Sequence, residues 1–284
     1  MYADCHIHMI LDGVYYKDAI AIHKERPNLD WIHKTLSHYQ ALGFDYLRDG
    51  GDRWDVGATA KRLAPQYGIT YRSPIFPIHK KGHYGGFIGR TYDTPEEYKA
   101  LLQEAKEKGA DFIKIMISGL MDFDHYGTIL GAPLEAQEIR DLVDRAHDMG
   151  FSVMVHANGP ETVIPAAESK VDSVEHGAFL NTEALHAMKE AGAVWVPTLS
   201  TIANLLRTTR FDCNAVSQIL SSAQKNLHDF HCMGGIIAPG SDAGAYAVFH
   251  GEGGLDEYQH LKQVLGKDTE TALSEGIAAI KDRF

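Results

Sequence analysis

The sequence predicts an α/β fold of the (β/α)8 TIM-barrel type. Three observations carry the prediction: a helix-Gly-strand joint that recurs along the chain, a strict alternation of short apolar runs with helical stretches, and unusual polar residues at the ends of those runs. Alternation of this kind demands parallel strands joined by crossover helices, because consecutive parallel strands cannot be linked by a tight turn.

The first run is ADCHIHMI, from Ala3. Six joints follow in which an amphipathic stretch ends on a Gly suited to a helix C-cap and passes into a β-rich run: ALGFDYL from 41, QYGITYR from 66, EKGADFIKI from 107, DMGFSVMV from 148, EAGAVWV from 190 and CMGGIIA from 232. The run DSVEHGAFL from 172 follows a helical stretch without the Gly and completes eight strands. Thr94-Pro95-Glu96-Glu97 reads as a helix start, with Thr94 as cap, Pro95 at the first helical position and Glu97 closing a capping box. Leu134 to Met149 is the clearest amphipathic helix, and Thr269 to Phe284 reads as the last one. A doubly wound open sheet would place a Gly-rich phosphate turn after strand one, and HMILDGVYY has no such shape. No linker or low-complexity tract divides the chain, so residues 1–284 are expected to form a single barrel.

The formal charge of -11 lacks the basic footprint of a nucleic-acid binder and disfavours anionic membranes. Three separated cysteines, Cys5, Cys213 and Cys232, support neither a disulfide framework nor a cysteine zinc site. With no long apolar span and no leader pattern at Met1, a cytoplasmic location is expected. Histidine is the outlier, at 16 residues, several of them inside apolar runs.

Side chains two apart on a strand share a face, so His6 and His8 are expected to enter the barrel while Cys5 and Ile7 face the helices. His-x-His alone is a weak signal that reads more simply as a hydrogen-bonded pair than as a metal grip. VMVHANG, SVEHG and APGSDAG add His156, His176 and Asp242 at the C-terminal ends of strands five, six and eight, the rim on which barrel enzymes build their sites. Lys114 in ADFIKIMISG lies in an apolar strand, where a lysine must neutralise, pair or be modified. A neutral amine can add carbon dioxide to give a carbamate able to bridge two cations. The alternatives are a snorkelling lysine or a pair with Asp242.

His-x-His on strand one, Lys on four, His on five and six and Asp on eight resemble the amidohydrolase superfamily over all eight strands. LGFDYLRDGGD, VPTL and GSDAG resemble its imidazolonepropionase and zinc-prolidase-like branch, and Lys114 favours the prolidase-like side. Most members of that branch open with a small β-sandwich, whereas here the first motif begins four residues after Met1; this marks a barrel-only variant or a piece of a longer chain. The resemblance implies two divalent metal ions, zinc first among the candidates. His6, His8, Asp242 and carboxylated Lys114 would hold one, and the carbamate, His156 and His176 the other. It also implies Asp242 as the catalytic proton carrier in hydrolysis of an amide C–N bond, in a dipeptide, N-acyl amino acid or cyclic amide.

Asp4, of the same parity as His6 and His8, is either an orienter of an imidazole or an ordinary strand-start carboxylate, and Asp49 is equally open. The loop HKKGHYGGFIGRTY is basic and Gly-rich in an acidic chain and reads as a lid or a solvated loop. Lys80, Lys81, His83, Tyr84 and Arg90, with His125, Tyr126 and Arg207, are its candidate contacts to a small-molecule substrate bearing a carboxylate. A homo-oligomer is compatible with the sequence. Two other readings use the same residues: a lactonase or phosphotriesterase-like hydrolase, and a barrel that binds metal or a metabolite without catalysis.

Overall fold

A computed structural model describes residues 1–284. Ten strands occur: β1 (Tyr2–Ile7), β2 (Phe44–Asp49), β3 (Thr70–Arg72), β4 (Pro77–Lys80), β5 (Arg90–Tyr92), β6 (Ile113–Met116), β7 (Val153–Ala157), β8 (Ser173–His176), β9 (Val194–Val196) and β10 (Ile236–Ile237). All strand pairs are parallel, in the orders β1-β2-β3 and β10-β9-β8-β7-β6-β4-β5. Hydrogen bonds close the two runs into a barrel. At one seam Cys5 N donates to Pro239 O (2.9 Å), Asp242 N to His6 O (2.7 Å) and His8 N to Ala243 O (2.7 Å). At the other, Asp111 N donates to Ser73 O (3.0 Å) and Ser73 N to Asp111 Oδ2 (2.9 Å).

The third barrel strand is broken where sequence reading expects one run at QYGITYR. β3 pairs with β2, the chain kinks through Pro74 with Ile75 in the left-handed region (φ 69°), and β4 resumes against β6. A β-branched residue at positive φ is strained, at about 1–2 kcal/mol. The segment expected as a loop from His79 therefore begins inside β4, and its far end returns as β5 beside it.

All six predicted joint glycines, 43, 68, 109, 150, 192 and 234, have φ between 67° and 86°, the left-handed turn that ends a helix without a Cβ clash. The seventh joint, lacking Gly, uses Lys170 at φ 63°. Thr94 accepts from Glu97 N and Glu97 reaches back, the expected capping box with Pro95 in the first turn. The helix expected over 134–149 spans Ala136–Asp148, and the last spans Thr269–Arg283.

Two layers of apolar side chains hold the barrel. A cluster of 39 buried residues and a second of 18 lie between strands and helices. A third, with Cys5, Tyr46, Phe112, Met154, Val194 and Ala238, draws on strands all round the ring and fills its floor. Cys5 thus faces inward, a correction to the alternation expected for β1. Asp4 pairs with Leu47 but Ile7 with Asp49, so β1 carries one extra residue at Cys5–His6. This bulge sends Cys5 and His6 to the same side of the strand.

Candidate metal centre

Four imidazoles form an arc at the C-terminal rim: His8 to His6, His6 to His176 and His176 to His156 have ring centroids 5.3, 5.1 and 4.5 Å apart. Asp242 Oδ1 lies 3.3 Å from His8 Nε2 and 3.6 Å from His6 Nε2. One donor atom from each of His6, His8 and Asp242 falls within 4.8 Å of the other two, a spacing at which one cation could be held by all three. Lys114, fully buried on β6, has no hydrogen-bond partner for Nζ. The six predicted cluster residues therefore come from five parts of the ring: β1 and its end (His6, His8), β6 (Lys114), β7 (His156), β8 (His176) and the turn after β10 (Asp242).

Two of the four rings are turned by hydrogen-bond partners, while His8 Nδ1 has none. His176 Nδ1 meets Thr198 Oγ1 at 2.8 Å, and His156 Nε2 meets the Gly119 carbonyl at 3.1 Å, which leaves the opposite nitrogen of each ring to the centre. Asn158 Nδ2 also donates to Gly119 O (3.0 Å), while its Oδ1 accepts from Ala178 N (2.9 Å), tying three strand ends together. His6 Nδ1 is 2.8 Å from Glu175 Oε2, a close contact that lacks hydrogen-bond geometry. Glu175 is in turn fixed by Arg48 Nη2 (2.8 Å) and Ser173 Oγ (2.6 Å). Arg48 also donates to Cys5 O (2.7 Å) and Ser173 Oγ (2.9 Å), and its guanidinium lies 4.4 Å above the Phe284 ring. A fully buried Arg–Glu pair thus stands directly beneath His6.

Sequence reading missed Arg48, Glu175, Thr198 and Asn158. The signal for the first two was present, since YLRDGG and SVEHG each set a charged residue in an apolar strand. Asp4 does not orient an imidazole: its carboxylate accepts from Ser241 N (2.8 Å) and Oγ (2.6 Å), bracing the turn that carries Asp242. Asp49 accepts from Met9 N (3.1 Å), just past His8. Gly50 leaves room for the His8 ring, which a Cβ would strike. His176 (φ 68°), Thr198 (φ 50°) and Asp242 (φ 58°) sit in the left-handed region, strain of the kind that collects at functional sites.

Burial dominates the electrostatics. It pushes His8 and His156 down to about 3, and His6 and His176 well below their usual value, with Lys114 adding to each shift. All four rings are therefore neutral at pH 7, the form that ligates metal. Burial lowers the Lys114 ammonium, countered by Glu175 and then Asp242, and raises the Asp242 carboxyl, countered by Lys114. Neutral imidazoles, a carboxylate and a buried amine without a partner fit divalent cations better than a self-contained polar core.

Above the arc opens a cavity of about 560 Å³ whose lining includes His8, His156, His176, Asp242 and Tyr84. Tyr84 packs against His156 with the rings tilted and their centroids 4.9 Å apart. The other predicted substrate contacts are not brought to it. Lys80, Lys81 and Arg90 pair with Glu138 (2.7 Å), Asp93 (2.9 Å) and Glu104 (2.9 Å), and His83 meets the Ala132 carbonyl (3.0 Å). His125 pairs with Asp122 at the surface (2.8 Å), Tyr126 packs edge-on against Phe179, and Arg207 pairs with Asp256 (3.0 Å). The acidic surface takes up the charge of the basic loop. The lining instead draws on loops after strands one, four, seven and eight, including Tyr16, Leu130, Arg210 and Tyr246.

Fold and rim together define a barrel of the amidohydrolase class, and sequence comparison agrees: the amidohydrolase family profile matches residues 56–280, so the chain belongs to that family. It is 24% identical over 228 positions to the ochratoxinase of Aspergillus niger, covering 70% of this chain and 47% of that protein. The chain thus spans about half the length of the curated relatives it matches. Among solved structures, a Xaa-Pro dipeptidase with methionine bound in its active site superposes with a TM-score of 0.79 at 21% identity, covering 99% of this chain and 75% of the other. The A. niger ochratoxinase structure gives 0.79 at 19% identity, covering 98% and 70%. A prolidase complexed with N-methylphosphonate-L-proline gives 0.75 at 22%, covering 99% and 74%. These likenesses establish the barrel fold. No helix is long and apolar enough to cross a membrane.

Proposed function

We propose that residues 1–284 act as a single cytoplasmic catalytic barrel that uses two divalent metal ions, zinc first among the candidates, to hydrolyse an amide C–N bond of a small molecule. His6, His8, Asp242 and Lys114 as its carbamate would hold one ion, and His156 and His176 with the same carbamate would hold the other. When bound, the ions supply a water of lowered pKa and polarise the scissile carbonyl. Asp242 accepts the proton of the attacking water and returns it to the departing amine, a role suited to a carboxyl raised towards neutrality by burial. Glu175 and Thr198 hold the His6 and His176 rings in register.

The observation that carries the reading is Lys114, whose buried amine has no hydrogen-bond partner beside four neutral imidazoles. A buried structural lysine ordinarily finds an acceptor, and the lack of one at Nζ supports a modified Lys114. Metal per chain in wild type and Lys114→Ala tests it, alongside a panel of dipeptides, N-acyl amino acids, lactones and phosphotriesters. About two ions falling to one or none, with amide turnover lost, is expected. Unchanged stoichiometry, or turnover confined to lactones and phosphotriesters, would sink it.

A further inference from the structure

The cavity above the arc has two aromatic walls. One runs from rim to centre through Tyr15, Tyr16, Phe87 and Tyr84 to His156, with successive centroids 5.8, 5.7, 5.7 and 4.9 Å apart. The other is Phe123, Phe211 and Tyr246, at 5.3 and 6.5 Å. Of the twelve large apolar side chains left exposed on the protein, five (Val14, Tyr15, Tyr16, Leu120 and Leu130) belong to this lining. Apolar side chains gathered round one opening mark a surface that awaits an apolar ligand.

One lysine or arginine lines the cavity, Arg210. Its guanidinium lies 4.4 Å above the Tyr246 ring and 5.1 Å above Phe211, and it has neither a salt bridge nor a hydrogen bond within the protein. The lining acids differ: Asp122 is engaged by His125, and Asp124 accepts from Asp212 N at 2.8 Å. Stacking holds the guanidinium plane while its N–H fork stays open, the arrangement that receives a carboxylate through two parallel hydrogen bonds.

We infer that the substrate is an N-acylated aromatic amino acid, its ring between the two aromatic walls and its carboxylate on Arg210. The inference rests on the amide-hydrolysis reading and assigns its substrate class. Hydrolysis adds one water across the amide and yields the acyl carboxylate and the amino acid. About 560 Å³ is of a size that accommodates a drug-sized ligand, more than a small dipeptide fills.

The test compares N-acetyl-L-phenylalanine with N-acetyl-2-phenylethylamine, which lacks only the carboxylate. The metal-loaded wild type is expected to prefer the acid at least tenfold in kcat/KM. That preference should collapse in Arg210→Gln and return in part in Arg210→Lys. Calorimetry on metal-loaded Asp242→Asn gives a readout apart from turnover: Arg210→Gln in that background should weaken binding of the acid at least tenfold. Equal turnover of the two amides in wild type, a preference untouched by Arg210→Gln, or binding indifferent to Arg210 overturns the assignment and leaves the hydrolase reading standing. Arg210-dependent binding of the acid with no turnover in wild type upholds the subsite and overturns the hydrolase reading.

Discussion

Arg48→Met isolates what the buried pair beneath His6 does. Methionine keeps most of the side-chain volume but removes three donations, to Cys5 O, Ser173 Oγ and Glu175 Oε1, at 2.7 to 2.9 Å. Glu175, itself fully buried, then retains a carboxylate whose chief cation is gone. Breaking one side of such a pair costs about 3–5 kcal/mol, a large part of the ~5–15 kcal/mol that holds a typical domain folded. Replacing both partners is far milder, so Arg48→Met/Glu175→Gln is expected to recover most of the loss. Urea denaturation of chelator-treated proteins reads this as a coupling of about 2 kcal/mol or more between the two sites at unchanged m. In a separate chelator competition, Glu175→Gln weakens metal binding by about 10–100-fold, the usual effect of removing the partner of a ligating histidine. Strict additivity of the two losses, or Arg48→Met costing under about 1 kcal/mol, would refute the reasoning.

Three further predictions follow from single positions. Lys170→Gly relieves an exposed left-handed residue and is expected to raise stability by about 1 kcal/mol, seen in the denaturant midpoint; an unchanged or lower midpoint counts against it. Gly50→Ala drives a Cβ into the His8 ring, so metal per chain after dialysis should fall and stability drop by about 1–3 kcal/mol; full metal content would argue against it. Glu257, raised by burial to about 8, favours its protonated form in the folded state, so its contribution is complete below about pH 4.5 and is lost as pH rises towards 8. Asp4, Asp49 and Asp52, raised to about 6, 7 and 6, slope the same way, so the diagnostic is a flatter decline between pH 5 and 8 in Glu257→Gln than in wild type; parallel profiles would rule it out.

The barrel was legible in the sequence because six of the seven helix-to-strand joints carry their own local cause, a Gly that the left-handed turn requires. Where the cause is not local, reading fails. The bulge at Cys5–His6 depends on the register against β2, and no feature of ADCHIHMI announces it. The break in the third strand likewise depends on which neighbour each half meets. The six rim residues were legible because chemistry restricts which side chains can end an apolar strand. Glu175 and Arg48 were overlooked because each resembles a single misplaced charge until the fold sets them 2.8 Å apart. The basic loop misled for the opposite reason, since its lysines and arginine find acidic partners that only tertiary structure supplies.

The seam between the first and last barrel strands has a consequence for how the protein folds. His6 and His8 lie on one side of it and Asp242 on the other, in the same stretch where Asp242 N donates to His6 O and His8 N to Ala243 O. A cation gripped by these three would act as a rivet across residues more than 230 positions apart in the chain. Contacts of such separation form late and slowly, because loop-closure entropy must be met first. Metal capture would then be the last event of folding and its chemical latch, so that withdrawing the ion loosens the ring at the junction that was hardest to close.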